Sequence, residues 1–271
     1  MEIKIIIAGI LAVAIGLIIG YPVLLLMRKL KAGQQILSYV DAHKSKAGTP
    51  TMGGWMFILT IAIVGLIFFY KSTEAVIAIC GMVAYGGIGF LDDFLKIKHH
   101  QNLGLKAYQK IIAQAGIAII LSVFCYLNGS FTREIIIPFT DLTFDIGWGI
   151  IPLVFMLYIA TTNATNLLDG LDGLATSVSS VIFVTLAIML MILGGKLAYS
   201  GNNLRSEDIY CLSGLALVTF GGLLAFLCYN GFPAKIFMGD TGSLALGGLM
   251  ASIFAFSGQL LLILIIGIML I

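Results

Sequence analysis

The sequence predicts an all-α, polytopic membrane protein with its N-terminus outside, and three observations carry that prediction. Hydrophobic residues make up 60% of the 271-residue chain and charged residues only 10%, against about 25% charged in soluble domains. Mean hydropathy is +1.08. Apolar runs approaching the ~20 residues that a bilayer-crossing helix needs recur along the whole chain. Between them, polar residues gather in a few short motifs.

Taken in order, the runs lie near 4–27, 53–70, 75–91, 108–127, 148–162, 174–193, 209–229 and 243–257, and a ninth begins near Leu260. The first is too long for the apolar region of a signal peptide and lacks a small-residue cleavage site, so it reads as a span. Within it, Gly16 and Gly20 form a small-xxx-small pair suited to helix packing. The runs near 75–91 and 148–162 are short or pass into polar motifs, which leaves their ends open. The ninth run offers only Gln259–Ile271, too short to cross. A free carboxylate ending inside hydrocarbon is costly, so the expectation is a chain truncated at its C-terminus.

Lys and Arg set the orientation. With the segment after the first run in the cytoplasm, the inside holds Arg28, Lys29, Lys31, Lys44, Lys46, Lys96, Lys98, Lys106, Lys110 and Lys235, ten of the 15 basic residues. The outside keeps Lys4, Lys71, Arg133, Lys196 and Arg205. This bias follows the positive-inside rule. The four cysteines, Cys80, Cys125, Cys211 and Cys228, sit in or beside apolar runs without CxxC spacing, which suits packing as small hydrophobes. No basic stripe with interleaved aromatics points to nucleic acid.

Under that topology every polar cluster falls on the cytoplasmic side. These are "HKSKAGTPTMGG" (43–54), "FLDDFLKIKHHQNLGLKAYQK" (90–110), "TTNATNLLDGLDGLA" (161–175) and "YNGFPAKIFMGDTGS" (229–243). Charges in the outer loops are scattered by comparison. Asp92 and Asp93 end a span; a solvated terminus is the plain reading, but negative charge there opposes the helix dipole. Asp240 suits an N-cap, and equally a ligand for a hard cation such as Mg²⁺. Carboxylates together with Lys46, Lys96, Lys106 and Lys110 are the equipment for a phosphate-bearing substrate. Asn163 and Asn166 lie three apart, and Asp169 and Asp172 repeat that spacing; each aspartate precedes a glycine that lets the backbone bend. A polar turn between two spans would explain the aspartates but not the two amides. His99 and His100 read as a solvated basic face, and His43 carries less still. No phosphate-binding glycine loop is present, which leaves nucleotide-triphosphate use unsupported. A transporter would place acids at mid-span depth within inverted repeats, and neither is visible.

The motifs "HKSKAGTPTMGG", "FLDDFLKI", "NATNLLDGLDGLA" and "FPAKIFMGDTGSLALGG" resemble those of the polyprenyl-phosphate sugar-1-phosphate transferase superfamily, in the same order and across essentially the whole chain. Within it, TPTMGG, NLLDGLDGLA and FMGDTGSLALGG resemble the bacterial phospho-N-acetylmuramoyl-pentapeptide transferase branch. The resemblance implies a single membrane transferase domain with about nine of ten helices present. It implies a Mg²⁺-dependent transfer from UDP-N-acetylmuramoyl-pentapeptide to undecaprenyl phosphate at the cytoplasmic face of the bacterial inner membrane. It assigns Asp92 and Asp93 to the catalytic acidic pair and Asp240 to the metal. Asn166 and Asn230 become polar groups near the active centre, and Lys46 and Thr51 substrate contacts. Gly170, Leu171, Asp172 and Phe237 become the uridine pocket. Expected partners are the two substrates and the bilayer, with a homodimer as the candidate assembly. The superfamily's histidine-rich motif has no counterpart among His43, His99 and His100. The alternatives are the sister reaction on UDP-N-acetylglucosamine, or an inactive fragment.

Overall fold

The computed structural model describes residues 1–30, 49–99, 103–128, 133–137, 140 and 142–270. Its architecture is α-helical. Helix α1 is Glu2–Lys29, α2 Trp55–Phe69, α3 Thr73–His99, α4 Ala107–Leu127, α5 Ile150–Leu168, α6 Leu174–Tyr199, α7 Asn203–Asn230 and α8 Gly239–Phe256. Six of these (α1, α3–α7) are long and apolar enough to cross a membrane.

Two helices run further than the apolar runs suggested. The α3 run was expected to end near residue 91, yet the helix continues to His99, its last turn carrying Lys96, Lys98 and His99. Basic side chains there complement the negative end of the helix dipole. Likewise α5 continues through the polar "TTNATN" stretch, because its hydroxyls turn back onto their own helix. Thr161 Oγ1 donates to the Leu157 carbonyl (2.8 Å), Thr162 Oγ1 to Tyr158 (2.7 Å) and Thr165 Oγ1 to Thr161 (2.8 Å). Satisfied in this way, threonines cost little inside an apolar helix. Conversely, the ninth run forms no long helix. Among the described residues it consists of the single turns Leu260–Leu262, Ile263–Ile266 (α9) and Gly267–Leu270. A small antiparallel hairpin, β1 (Glu134–Ile136) with β2 (Thr143–Asp145), had no signal in the hydropathy pattern.

Helix α8 is the axis of the molecule. Every residue from Thr241 to Phe256 is buried, with α3 and α5 packed along it and α2, α4 and α6 touching it. Gly, Ala and Ser are frequent in this helix, which lets backbones approach closely. A second layer forms around α7, against which α1, α2 and α6 pack. Gly16 and Gly20 of α1 lie directly against Ala225 and Tyr229 of α7, as the small-xxx-small pattern anticipated.

The starts of α3 and α7 also hold an unexpected charge cluster. Glu74 at the start of α3 and Arg205 at the start of α7 are each only 6% exposed. Arg205 Nη1 lies 3.4 Å from Glu74 Oε1, and its Nη2 donates to the Phe256 carbonyl at 2.6 Å. Asn128 Nδ2 donates to Glu74 at 3.3 Å, and Ser72 Oγ bridges towards Asp208 at 3.2 Å. Removing one partner of such a pair strands the other charge without water. Arg205→Ala is therefore expected to destabilise the protein by about 3 kcal/mol in a denaturation series, while Glu74→Leu combined with Arg205→Met recovers most of that loss.

Candidate active site

At the end of the bundle opposite the Glu74–Arg205 cluster, the C-terminal turns of α3, α5 and α7 meet the N-terminal turns of α4 and α8. Asp240, in the first turn of α8, is the hub. Its Oδ2 accepts from Lys96 Nζ of α3 at 2.9 Å and from Lys110 Nζ of α4 at 3.1 Å. Its Oδ1 accepts from Asn166 Nδ2 of α5 at 2.6 Å. The amide of Asn166 closes the ring, donating to Ser243 Oγ at 2.8 Å and accepting from Lys110 at 3.2 Å.

The two aspartates of α3 differ sharply in their surroundings. Asp92 pairs with Lys96 one turn later (2.6 Å) and accepts from the Leu105 backbone N–H at 2.7 Å, folding the loop before α4 onto the site. Asp93, only 3% exposed, is turned the other way. Its Oδ1 accepts from Asp240 N at 3.2 Å, and its Oδ2 from Thr241 N at 2.9 Å and Thr241 Oγ1 at 2.7 Å. Helix α8 has no side-chain cap of its own at Met238. Asp93 supplies that cap from a neighbouring helix, answering the free N–H groups and the positive end of the dipole.

Close approach makes this possible. A Cβ on Gly89 would stand 2.0 Å from the Asp240 carbonyl oxygen, so only glycine lets α3 lie against the start of α8. Gly239 has φ +74°, left-handed, and a Cβ there would press on both Asp93 Oδ2 and Thr51 Oγ1. The segment Pro50–Gly54 is laid along Phe237–Met238 in strand-like pairing. Phe237 N donates to the Pro50 carbonyl (2.8 Å), Gly53 N to Phe237 (2.8 Å) and Gly54 N to Met238 (3.0 Å).

The rim comes from two loops. Asp172 accepts from Ala234 N at 3.2 Å, joining the 169–173 bend to the 231–238 loop. Asn230 shapes that loop, accepting from Thr176 Oγ1 at 2.7 Å and donating to the Ile236 carbonyl at 3.0 Å. Gly170 and Leu171 are exposed, and Phe237 is partly buried. Burial, then the charges of Asp240 and Asp93, push the Asp169 carboxyl up to about 7 against a hydrogen bond from the Gly239 backbone. Such a group both donates and accepts near neutrality.

The structure therefore gathers Asp92, Asp93, Lys96, Lys110, Asn166 and Asp240 into one cluster, with Thr51, Asp169, Asp172, Asn230 and Phe237 around it. Asn163 instead turns inward, donating to Gln114 Oε1 and the Ile159 carbonyl, each at 2.8 Å. Lys106 stands exposed at the start of α4. Lys46, His43 and His100 lie outside the described residues. Thr241 and Ser243 were passed over in the sequence although they sit in the MGDTGS motif beside Asp240. Oxygens of Asp92, Asp93 and Asp240 all lie within 4.8 Å of one another. Three carboxylates against the two ammonium groups of Lys96 and Lys110 leave negative charge over, and the donors are hard oxygens, which suits a Mg²⁺ ion.

Residues 75–258 match the model of glycosyl transferase family 4. The chain belongs to that family. It is 42% identical over 256 residues to a phospho-N-acetylmuramoyl-pentapeptide-transferase of Clostridium botulinum (strain Eklund 17B / Type B), covering 94% of this chain and 74% of that protein. Against the enzymes of that name from Clostridioides difficile (strain 630) and Bacillus subtilis (strain 168), identity is 38% and 37%, with 96% and 91% of this chain and 77% and 73% of theirs covered. The family segment contains the whole Asp240 cluster, whereas Thr51 lies ahead of it.

Two glycines of α3 separate close packing at the site from mere helix composition. Gly89→Ala is expected to cost about 1–3 kcal/mol by overpacking. Gly87→Ala, whose Cβ would meet nothing within 4 Å, is expected to be neutral or slightly stabilising, as alanine is in a helix. Melting midpoints of the two variants in detergent make the comparison.

Proposed function

We propose that this chain transfers phospho-N-acetylmuramoyl-pentapeptide from its UDP-activated donor to undecaprenyl phosphate, giving lipid I and UMP for peptidoglycan synthesis. The relatives carry the name of this activity. The observation that supports the reading most is the convergence of Lys96, Lys110 and Asn166, from three helices, on one carboxylate. Phosphoryl transfer asks of a protein chiefly positioning and neutralisation of charge, and this cluster supplies both at one end of a membrane bundle. The positive-inside pattern supports a cytoplasmic setting for that end, where a UDP-linked donor would reach it. Assembly as a homodimer belongs to the same reading.

The residues divide the work. Asp240 would hold Mg²⁺, with Asp92 as the neighbouring carboxylate; the ion supplies charge neutralisation at the donor's pyrophosphate. Lys96 and Lys110 exchange their hold on Asp240 for phosphate oxygens, and Asn166 keeps Asp240 oriented as they leave. Asp93 has both oxygens committed to α8, so its work is to keep Asp240 in place. An oxygen of the lipid phosphate bonds to the donor's β-phosphorus, the bond from that phosphorus to the bridging oxygen breaks, and UMP departs with the electron pair. Asp172, Phe237 and the Gly170–Leu171 bend form the rim that would take the uridine.

Radiolabelled donor and undecaprenyl phosphate, incubated with the purified protein in lipid nanodiscs, test this directly. Lipid-linked product is expected with the muramoyl-pentapeptide donor and Mg²⁺, and its loss in EDTA. Asp240→Asn is expected to lower turnover by at least about 10²-fold. Turnover of UDP-N-acetylglucosamine in its place would assign the sister reaction, and Mg²⁺-independent turnover would remove the ion from the scheme.

A further inference from the structure

Below the Asp240 cluster, a second line of polar groups descends into the bundle. Gln114 lies on α4 one turn inward of Lys110 and is fully buried. Its Oε1 accepts from Asn163 Nδ2 at 2.8 Å. Asn163 in turn lies one turn inward of Asn166 on α5. Helices α4 and α5 are thus joined twice at successive turns, by Lys110–Asn166 (3.2 Å) and by Gln114–Asn163. Deeper still, Tyr85 donates to the Gln114 backbone carbonyl at 3.2 Å and stacks on Tyr158 with ring centroids 5.8 Å apart. Tyr158 shares a hydrogen bond of 2.9 Å with Ser252 of α8.

The orientation of the Gln114 amide is forced. Asn163 Nδ2 also donates to the Ile159 carbonyl of its own helix at 2.8 Å, which fixes its amide as the donor and leaves Gln114 to present oxygen. Gln114 Nε2 then has no partner among the described residues. An unpaired buried donor is destabilising, and hydrocarbon-depth packing offers no bulk water to relieve it. Leucine at this position would avoid the cost, so stability does not account for glutamine here. What glutamine adds is the acceptor that pins Asn163.

We propose that Gln114 is a positioning residue for the transfer site: through Asn163 it fixes the last turns of α5, so that Asn166 faces Asp240. This rests on the reading of the Asp240 cluster as the transfer centre. Without the clamp, the side-chain link that remains between the start of α4 and the end of α5 is Lys110–Asn166, and the hydrogen bonds of Asn166 to Asp240 and Ser243 lose the support of the turn before them.

The test uses Gln114→Leu and Gln114→Glu in the purified protein. For Gln114→Leu the melting midpoint is expected to stay level or rise. Hydrogen exchange in a peptide covering 163–169 is expected to speed up roughly tenfold as that turn opens locally. The transfer kcat is expected to fall roughly ten- to a hundredfold, as for a slightly misplaced group, with little change in donor KM. Gln114→Glu keeps an acceptor for Asn163 and should retain wild-type exchange and most of the turnover. Adding Asn163→Leu to Gln114→Leu should lose no more than either change alone. The proposal is overturned if Gln114→Leu leaves exchange and turnover untouched, if the melting midpoint falls while exchange speeds up throughout the helices as a purely structural lesion would make it, or if the two substitutions multiply independently. A wild-type protein that transfers nothing while exchange behaves as stated would overturn the transfer reading and leave the clamp standing.

Discussion

A carboxylate of one helix seated on the first turn of another is the constraint from which the rest of the site follows. Asp93 has almost no contact with solvent, and burying a carboxylate is tolerable only with several strong donors. It finds three, all at the start of α8: the N–H groups of Asp240 and Thr241 and the Thr241 hydroxyl. Because these donors are backbone groups of the helix that carries Asp240, the capping interaction and the placement of Asp240 are one event. Gly89 sets how near α3 can come. Asp92, adjacent in sequence and so turned about a quarter of the way round the helix, then faces Lys96 and the site instead of α8.

The far end of α8 is held by the opposite charge. Arg205 donates to the Phe256 carbonyl there, as Asp93 accepts at the near end. A helix with an anion at its N-terminus and a cation at its C-terminus has both ends of its macrodipole answered, and here neither charge belongs to α8 itself. Glu74, at the start of the same α3 that carries Asp93 towards its C-terminal end, completes the frame by pairing with Arg205. Helix α3 thus fixes α8 at two points separated by the length of the bundle: directly at one end, and through Arg205 at the other.

Much of this was legible in the sequence, and the rest was hidden for specific reasons. Apolar runs located the helices α1–α8, six of which are long and apolar enough to cross a membrane, since hydropathy and length decide membrane spans. The polar motifs marked the residues of the Asp240 cluster, because a chain so poor in charge places its few carboxylates and lysines with consequence. Hydropathy could not show that α5 persists through Thr161–Asn166, which depends on hydroxyls closing onto carbonyls of the preceding turn. It could not separate Asp92 from Asp93 either, since their difference lies in which neighbouring helix each one meets. Glu74 and Arg205 looked like loop charges because they are 131 residues apart and meet only in the fold. Gln114 was a visible signal passed over: a polar side chain in mid-run, one turn from Lys110. The Leu260 run read as apolar but too short to cross, and its described residues form a series of short turns with Leu260 and Leu262 buried.

The division between helix and loop within the site has a chemical consequence. Groups around the Asp240 carboxylate stand on helix ends that are tied to one another by charge-assisted hydrogen bonds, so the backbones that carry them are placed before any ligand arrives. That is the property demanded of groups that must neutralise charge as it shifts between phosphates. The groups expected to read the donor, from Gly170 to Asp172 and at Phe237, lie on two loops linked by the Asp172–Ala234 hydrogen bond. Loops tolerate exchange of side chains far better than a close-packed helix junction. A change of nucleotide or sugar preference therefore has room to occur in the rim, whereas any change that displaces α8 from α3 alters Asp240, Lys96 and Asn166 together and with them the transfer step itself.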